Sequence, residues 1–141
     1  MEKAIAVNPG VRIVVLDSPG GFVDEGIRIG HALKQSGLAT GVDHRCASAC
    51  TLAFAAGKDR ILLPPGRLGF HGCHDVAWYS YCNIAESEDY LVANGVDVQF
   101  VRKAMRVDPR KIWYPDTSEL LAARVVTSTA IRSVKNNADN L

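Results

Sequence analysis

Apolar positions first gather at Val11 to Leu16, a nearly continuous β-branched run (VRIVVL) that suits a strand buried on both faces of a parallel sheet. Ser18-Pro19-Gly20-Gly21 breaks the run, because proline cannot pair in a ladder and two glycines admit backbone angles closed to other residues. From Val23 to Ser36 apolar positions return at helical spacing (Val23, Ile27, Gly30, Leu33), and Gly37 stops the pattern. The chain then predicts a strand over Thr40 to Cys46, a helix over Ala49 to Ala56 closed by Gly57, and a strand over Arg60 to Leu63. Pro64-Pro65-Gly66 turns into another extended run, Arg67 to Phe70, and Gly72 to Asn83 reads as a loop rich in aromatic and polar residues. Helices are predicted at about Ala85 to Ala93 and Val96 to Arg106, split by Asn94-Gly95. Asp116-Thr117-Ser118-Glu119 has the capping-box pattern and opens a last short helix to about Ala123. Val125 and Val126 read as a final strand.

Strand and helix alternating over short connections is the mark of crossover units, so the expected fold is α/β with a mostly parallel sheet. No repeat or low-complexity segment interrupts it, and a single domain over residues 1–133 followed by a polar tail over 134–141 is expected. The first strand begins only about ten residues into the chain. The sheet is therefore expected to lack an N-terminal unit or to have its edge covered by a partner subunit, with a simply small sheet as the plain alternative.

Composition narrows the functional classes. With 16 Lys plus Arg against 15 Asp plus Glu, the net charge is +1, too weak a field to gather nucleic acid or anionic lipid. No apolar run approaches the ~20 residues of a membrane-spanning helix. Met1 to Ala6 carries Glu2 and Lys3 and no long apolar core, so no secretory signal is read there. The four cysteines fall as two close pairs, Cys46 with Cys50 and Cys73 with Cys82. Two short disulfides, a Cys/His metal site that would add His71 and His74, and reduced core thiols all remain open. The spacings match none of the common zinc frameworks, and no cofactor is implied.

Three places could carry chemistry. Gly20-Gly21, at the end of a strand and before a helix, leaves backbone N–H groups unobstructed, ready to hold a carboxylate, a phosphate or a developing oxyanion; a tight turn alone would need the same glycines. Ser48, between small residues at a strand-to-helix junction, follows the logic of a nucleophile elbow, although a serine there equally serves as a helix N-cap. His71, between Phe70 and Gly72 at a strand end, is placed to reach a cleft and take a proton. Trp78, Tyr79 and Tyr81 could line a pocket or an interface.

In order and spacing these residues resemble the Clp-type serine peptidases of the Clp/crotonase superfamily. The matching features are Ser18-Pro19-Gly20-Gly21, Ala47-Ser48 with Ala55-Ala56-Gly57 nine residues on, and Phe70-His71, with His71 standing 23 residues after Ser48. The likeness covers about Val11 to Gly72, with a weaker echo over Ser118 to Val126. It implies Ser48 as nucleophile, His71 as general base, and the N–H groups of Ala49 and of Gly20 or Gly21 as oxyanion donors. It further implies a peptide or protein substrate and a homo-oligomer. A related branch pairs serine with lysine, but Lys58 sits past the helix end, which ranks it below His71. The family's orienting aspartate falls at Ile112, leaving Asp108, or alternatively Asp116, as the candidate third member. Cys46-Ala47-Ser48-Ala49-Cys50 and Gly69-Phe70-His71 look most like bacterial Clp-like proteins assigned to the periplasm or envelope, with the cytoplasm as the alternative. In an exported protein, disulfides Cys46–Cys50 and Cys73–Cys82 are expected, the first bracing the loop that presents Ser48. A catalytically degenerate binding or assembly domain, or a crotonase-type acyl-CoA enzyme, are the other readings.

Overall fold

A computed structural model describes residues 10–73 and 82–130. Trp78, Tyr79, Tyr81, His74 and the polar tail lie outside them. The elements run β1 (Ile13–Val15), α1 (Val23–Gln35), β2 (Ala39–Val42), β3 (Arg45–Ala47), α2 (Ala49–Ala55), β4 (Arg60–Leu62), β5 (Arg67–Gly69), α3 (Ile84–Ala93), α4 (Val98–Met105) and α5 (Thr117–Ala122). The fold is mixed α/β with short parallel strands. One sheet has the order β1-β2-β4, with Ile13 opposite Ala39 and Thr40 opposite Arg60; β3 and β5 form a second, with Cys46 opposite Leu68.

Three predicted strands come out differently. The run from Thr40 to Cys46 is two strands in two sheets, because the exposed pair Asp43-His44 bends the chain between β2 and β3. Among the described residues β1 is an edge strand, and it is not buried on both faces: Val15 keeps 49% of its surface exposed. Val125 and Val126 are buried but not extended: both N–H groups turn back to the Leu120 carbonyl at the end of α5, and the parallel bridge to Ile61 falls later, at Ser128. The α5 start follows its capping box, the Asp116 carboxylate accepting the Glu119 N–H.

Every residue of α2 is buried, which its composition (ACTLAFA) allows because no side chain carries charge. α1 packs directly on it. A Cβ at Gly26 would strike the backbone of Ala49, and one at Gly30 would strike Ala56 and the Tyr90 hydroxyl, so the missing methyls set how closely the helices approach. The far end of α2 is satisfied from the first sheet: the Thr40 hydroxyl donates to the Phe54 carbonyl at 2.8 Å. Buried Arg60 donates from Nε to the Val125 carbonyl at 2.9 Å and from a terminal nitrogen to the Arg124 carbonyl at 2.6 Å. Desolvation lowers its pKa from the ordinary value, and those carbonyls replace the water it has lost.

Two stability outcomes are expected. Arg60→Met leaves buried carbonyls without donors and should lower the unfolding free energy by about 2–4 kcal/mol in urea titration. Among the described residues the enclosed Tyr90 hydroxyl has no hydrogen-bond partner, and burial pushes its pKa up from 10.0 to about 12. The unfolded chain therefore ionises this tyrosine first, so its contribution to stability is complete below pH 10 and is lost as the pH rises through about 12. Tyr90→Phe should flatten the alkaline fall without destabilising the protein at pH 8; an unchanged slope between pH 10 and 12 would refute the assignment.

Candidate active site

Ser48 stands where β3 ends and α2 begins, and its backbone is bent to φ 56° and ψ −129°. A non-glycine residue there costs of order 1–3 kcal/mol and persists only where its surroundings impose it. They do so through an N–H bond from Ser48 to the Gly69 carbonyl at 2.9 Å, which ties the turn to the end of β5. Ser48 occupies the N-cap position, yet its hydroxyl makes no capping hydrogen bond. The ordinary structural use of serine at a helix start is therefore not the use made of it here.

The glycine loop lies against this turn. Ser18 bridges Cys46 in parallel: its N–H donates to the Arg45 carbonyl at 2.9 Å, and its own carbonyl accepts the Ala47 N–H at 3.0 Å. Ser18 Oγ then accepts the Gly20 N–H at 3.1 Å, closing a tight turn. Gly20 has φ +119° and Gly21 +154°, both in glycine's range, and a Cβ on Gly20 would sit 2.7 Å from Ser48 Cβ and 3.2 Å from Ser48 Oγ. Of the two glycines, Gly20 spends its N–H on Ser18, which leaves Gly21, exposed on the loop, as the available donor. The Ala49 N–H, at the first helical position, has no intrahelical acceptor. Beside them opens a cavity of about 320 Å³, lined among others by Leu16, Phe22, Ile29, Cys50 and Ala53, with Phe22 54% exposed at its rim.

His71 is delivered by the strand paired with β3. Phe70 exchanges backbone hydrogen bonds with Trp113 at 2.8 and 2.9 Å, and Gly72 donates its N–H to the Val107 carbonyl at 2.8 Å, so His71 is held between two anchored neighbours. The Phe70 ring meets Phe100 edge-on at 5.2 Å, and Phe100 packs against Trp113 at 5.3 Å, making the anchor part of the core. The His71 ring is half-buried, and its Nδ1 lies 2.6 Å from the Gly72 carbonyl. A carbonyl only accepts, so this hydrogen bond requires a proton on Nδ1, and in the tautomer that makes it Nε2 is bare. Among the described residues no hydrogen bond joins Ser48 Oγ to this ring; such bonds commonly close only with substrate bound.

The two candidate aspartates are otherwise engaged. Asp108 makes a bidentate pair with Arg110, at 3.0 and 2.8 Å, one residue beyond the Val107 that anchors Gly72. Asp116 caps α5, where the Glu119 N–H and then the Ser118 hydroxyl hold its carboxyl below the ordinary range. Ile112 is more closely placed. The antiparallel bridge between Phe70 and Trp113 sets Ile112 across from His71, and a Cβ on Gly69 would meet the Ile112 side chain. Lys58 lies past the opposite end of α2 from Ser48, across roughly 10 Å of helix.

Both cysteine pairs are disulfides, Cys46–Cys50 with Cα atoms 5.3 Å apart and Cys73–Cys82 with 5.8 Å. Among the described residues no group of three or more His, Cys, Asp or Glu side chains is gathered for a metal, and no helix is long and apolar enough to cross a membrane. Two contributors were not read from the sequence. The Ser18 hydroxyl was legible in principle, since Ser-Pro-Gly is a turn pattern; the Trp113 bridge, 43 residues from Phe70, carries no local signal.

Gly20→Ala should be more destabilising than Gly21→Ala in thermal or urea unfolding, because its added methyl collides with Ser48 and Ala47 whereas nothing lies within 4 Å of one on Gly21. Equal effects would place the glycine loop away from the serine. No family model matches the chain and no curated protein matches it.

Proposed function

We propose that the protein is a Clp-type serine hydrolase, acting on a peptide or protein through an acyl-enzyme formed on Ser48. The observation that carries this reading is the Ser48 hydroxyl, released from capping at a strained strand-to-helix turn and pressed against a glycine loop. In the mechanism His71 Nε2 takes the Ser48 proton as Oγ attacks the carbonyl carbon. The oxyanion that forms is held by the N–H groups of Ala49 and Gly21, and the imidazolium is steadied through Nδ1 by the Gly72 carbonyl. The same histidine returns the proton to the leaving amine, and water then repeats the sequence on the acyl-enzyme. The cavity beside the loop supports an apolar group on the acyl side of the bond. An oxidising compartment such as the bacterial periplasm accords with the two disulfides, and self-association with the edge position of β1 among the described residues.

A fluorophosphonate probe should label Ser48, with labelling abolished in Ser48→Ala and slowed about 100- to 10,000-fold in His71→Ala. Absence of labelling in the intact protein overturns the proposal. Ile112→Asp should accelerate labelling about tenfold or more, because a carboxylate across from His71 steadies the imidazolium better than a neutral carbonyl. Asp108→Asn should change the rate less than threefold; a loss of the size seen in His71→Ala would instead make Asp108 the third member.

Ile112 at the acid's place also favours a second reading, a degenerate domain that binds a peptide or acyl group without cleaving it. On that reading Ser48→Ala and His71→Ala leave binding intact, and neither the parent nor Ile112→Asp is labelled.

A further inference from the structure

The Cys46–Cys50 disulfide spans four positions with Ser48 at their midpoint, and its ends belong to different parts of the site. Cys46 bridges Ser18 on one side and faces Leu68 on the other, so its backbone joins the glycine loop to the strand that leads to His71. Cys50 stands in the first turn of α2 and lines the cavity beside Gly20 and Gly21. The cross-link therefore closes around the one non-glycine residue of the site held at positive φ. A loop this short removes comparatively little freedom from the unfolded chain, so the cross-link bears on local geometry more than on global stability. Cys73–Cys82 differs in place: it ties the segment after His71 to the residues before α3.

The geometry points to the Cys46–Cys50 disulfide as a positioning cross-link whose redox state sets the reactivity of Ser48, an inference that rests on Ser48 being the nucleophile. When the bond is closed, β3 and the first turn of α2 are held together and the hydroxyl stays against the glycine loop. When it is opened, the strained turn relaxes and the alignment of Oγ with the Ala49 and Gly21 donors is lost. Opening takes a dithiol reductant. Its thiolate attacks Cys50 Sγ from the cavity and expels the Cys46 thiolate; its second thiol, deprotonated, then resolves the mixed disulfide and releases Cys50. Two electrons pass to the protein, the reductant becomes a disulfide, and protons from solvent complete both cysteines.

The test follows fluorophosphonate labelling of the full chain when oxidised, when reduced with dithiothreitol and after reoxidation, with mass spectrometry reporting which disulfide has opened. Reduction of Cys46–Cys50 should lower the maximal labelling rate roughly 10- to 100-fold with little change in the half-saturating probe concentration, and reoxidation should restore it. The double variant Cys46→Ser/Cys50→Ser should have the reduced-state rate and ignore the reductant, while Cys73→Ser/Cys82→Ser keeps the full response. Amide exchange should quicken over Ala47 to Thr51 and stay unchanged in α4. Unchanged labelling and exchange after proven reduction overturn the cross-link's role alone. Exchange quickening throughout the chain overturns it as well, by making the bond a global brace. No labelling of the oxidised protein overturns instead the nucleophile reading beneath it.

Discussion

A helix buried along its whole length has no water at its ends, so its unpaired backbone groups must find partners in the protein. In α2 this requirement organises the molecule. At the C-terminal end the Phe54 carbonyl receives the Thr40 hydroxyl, and buried Arg60 ties the neighbouring Arg124 and Val125 carbonyls to the same corner. At the N-terminal end the Ser48 N–H is taken by the Gly69 carbonyl, while Ala49, at the first helical position, lines the cavity beside the glycine loop. Stability is supplied at one end of the helix, and open hydrogen-bonding capacity is kept at the other.

The candidate residues come from three separate segments. At Ser48 the backbone is turned to positive φ and the hydroxyl makes no capping hydrogen bond to its own helix. The turn survives because Ser18, Gly69 and the Cys46–Cys50 disulfide hold it from three directions. The histidine is treated alike. Phe70 and Gly72 on either side of it are anchored to Trp113 and Val107, and the ring's Nδ1 meets the Gly72 carbonyl.

The departure from the resembling family is also local. Ile112 faces His71 where a carboxylate would be expected, and the two aspartates nearest in sequence serve an ion pair and a helix cap. An isoleucine at this position offers no charge that could steady an imidazolium. A single side chain thus separates the hydrolase reading from the binding reading.

Much of this was legible from the residues alone. The Ser-Pro-Gly-Gly break, the helix after Ser48, the capping box at Asp116 and the alternation of strand and helix depend on short-range properties: ring closure at proline, the missing glycine Cβ, the spacing of small apolar residues. The cysteine pairs were also visible as pairs, although their oxidation was one reading among three. Which sheet each strand joins was not visible, because hydrophobicity reports that a strand is buried and not against what; hence the single run from Thr40 to Cys46 parts into two sheets, and VRIVVL ends as an edge. The contact of Gly20 with Ser48, the clamp of Trp113 on Phe70 and the placing of Ile112 across from His71 join residues 28 to 43 positions apart. Contacts over such distances are set by how the whole core packs, so tertiary structure alone decided which residues the serine turn, the histidine and the glycine loop would each meet.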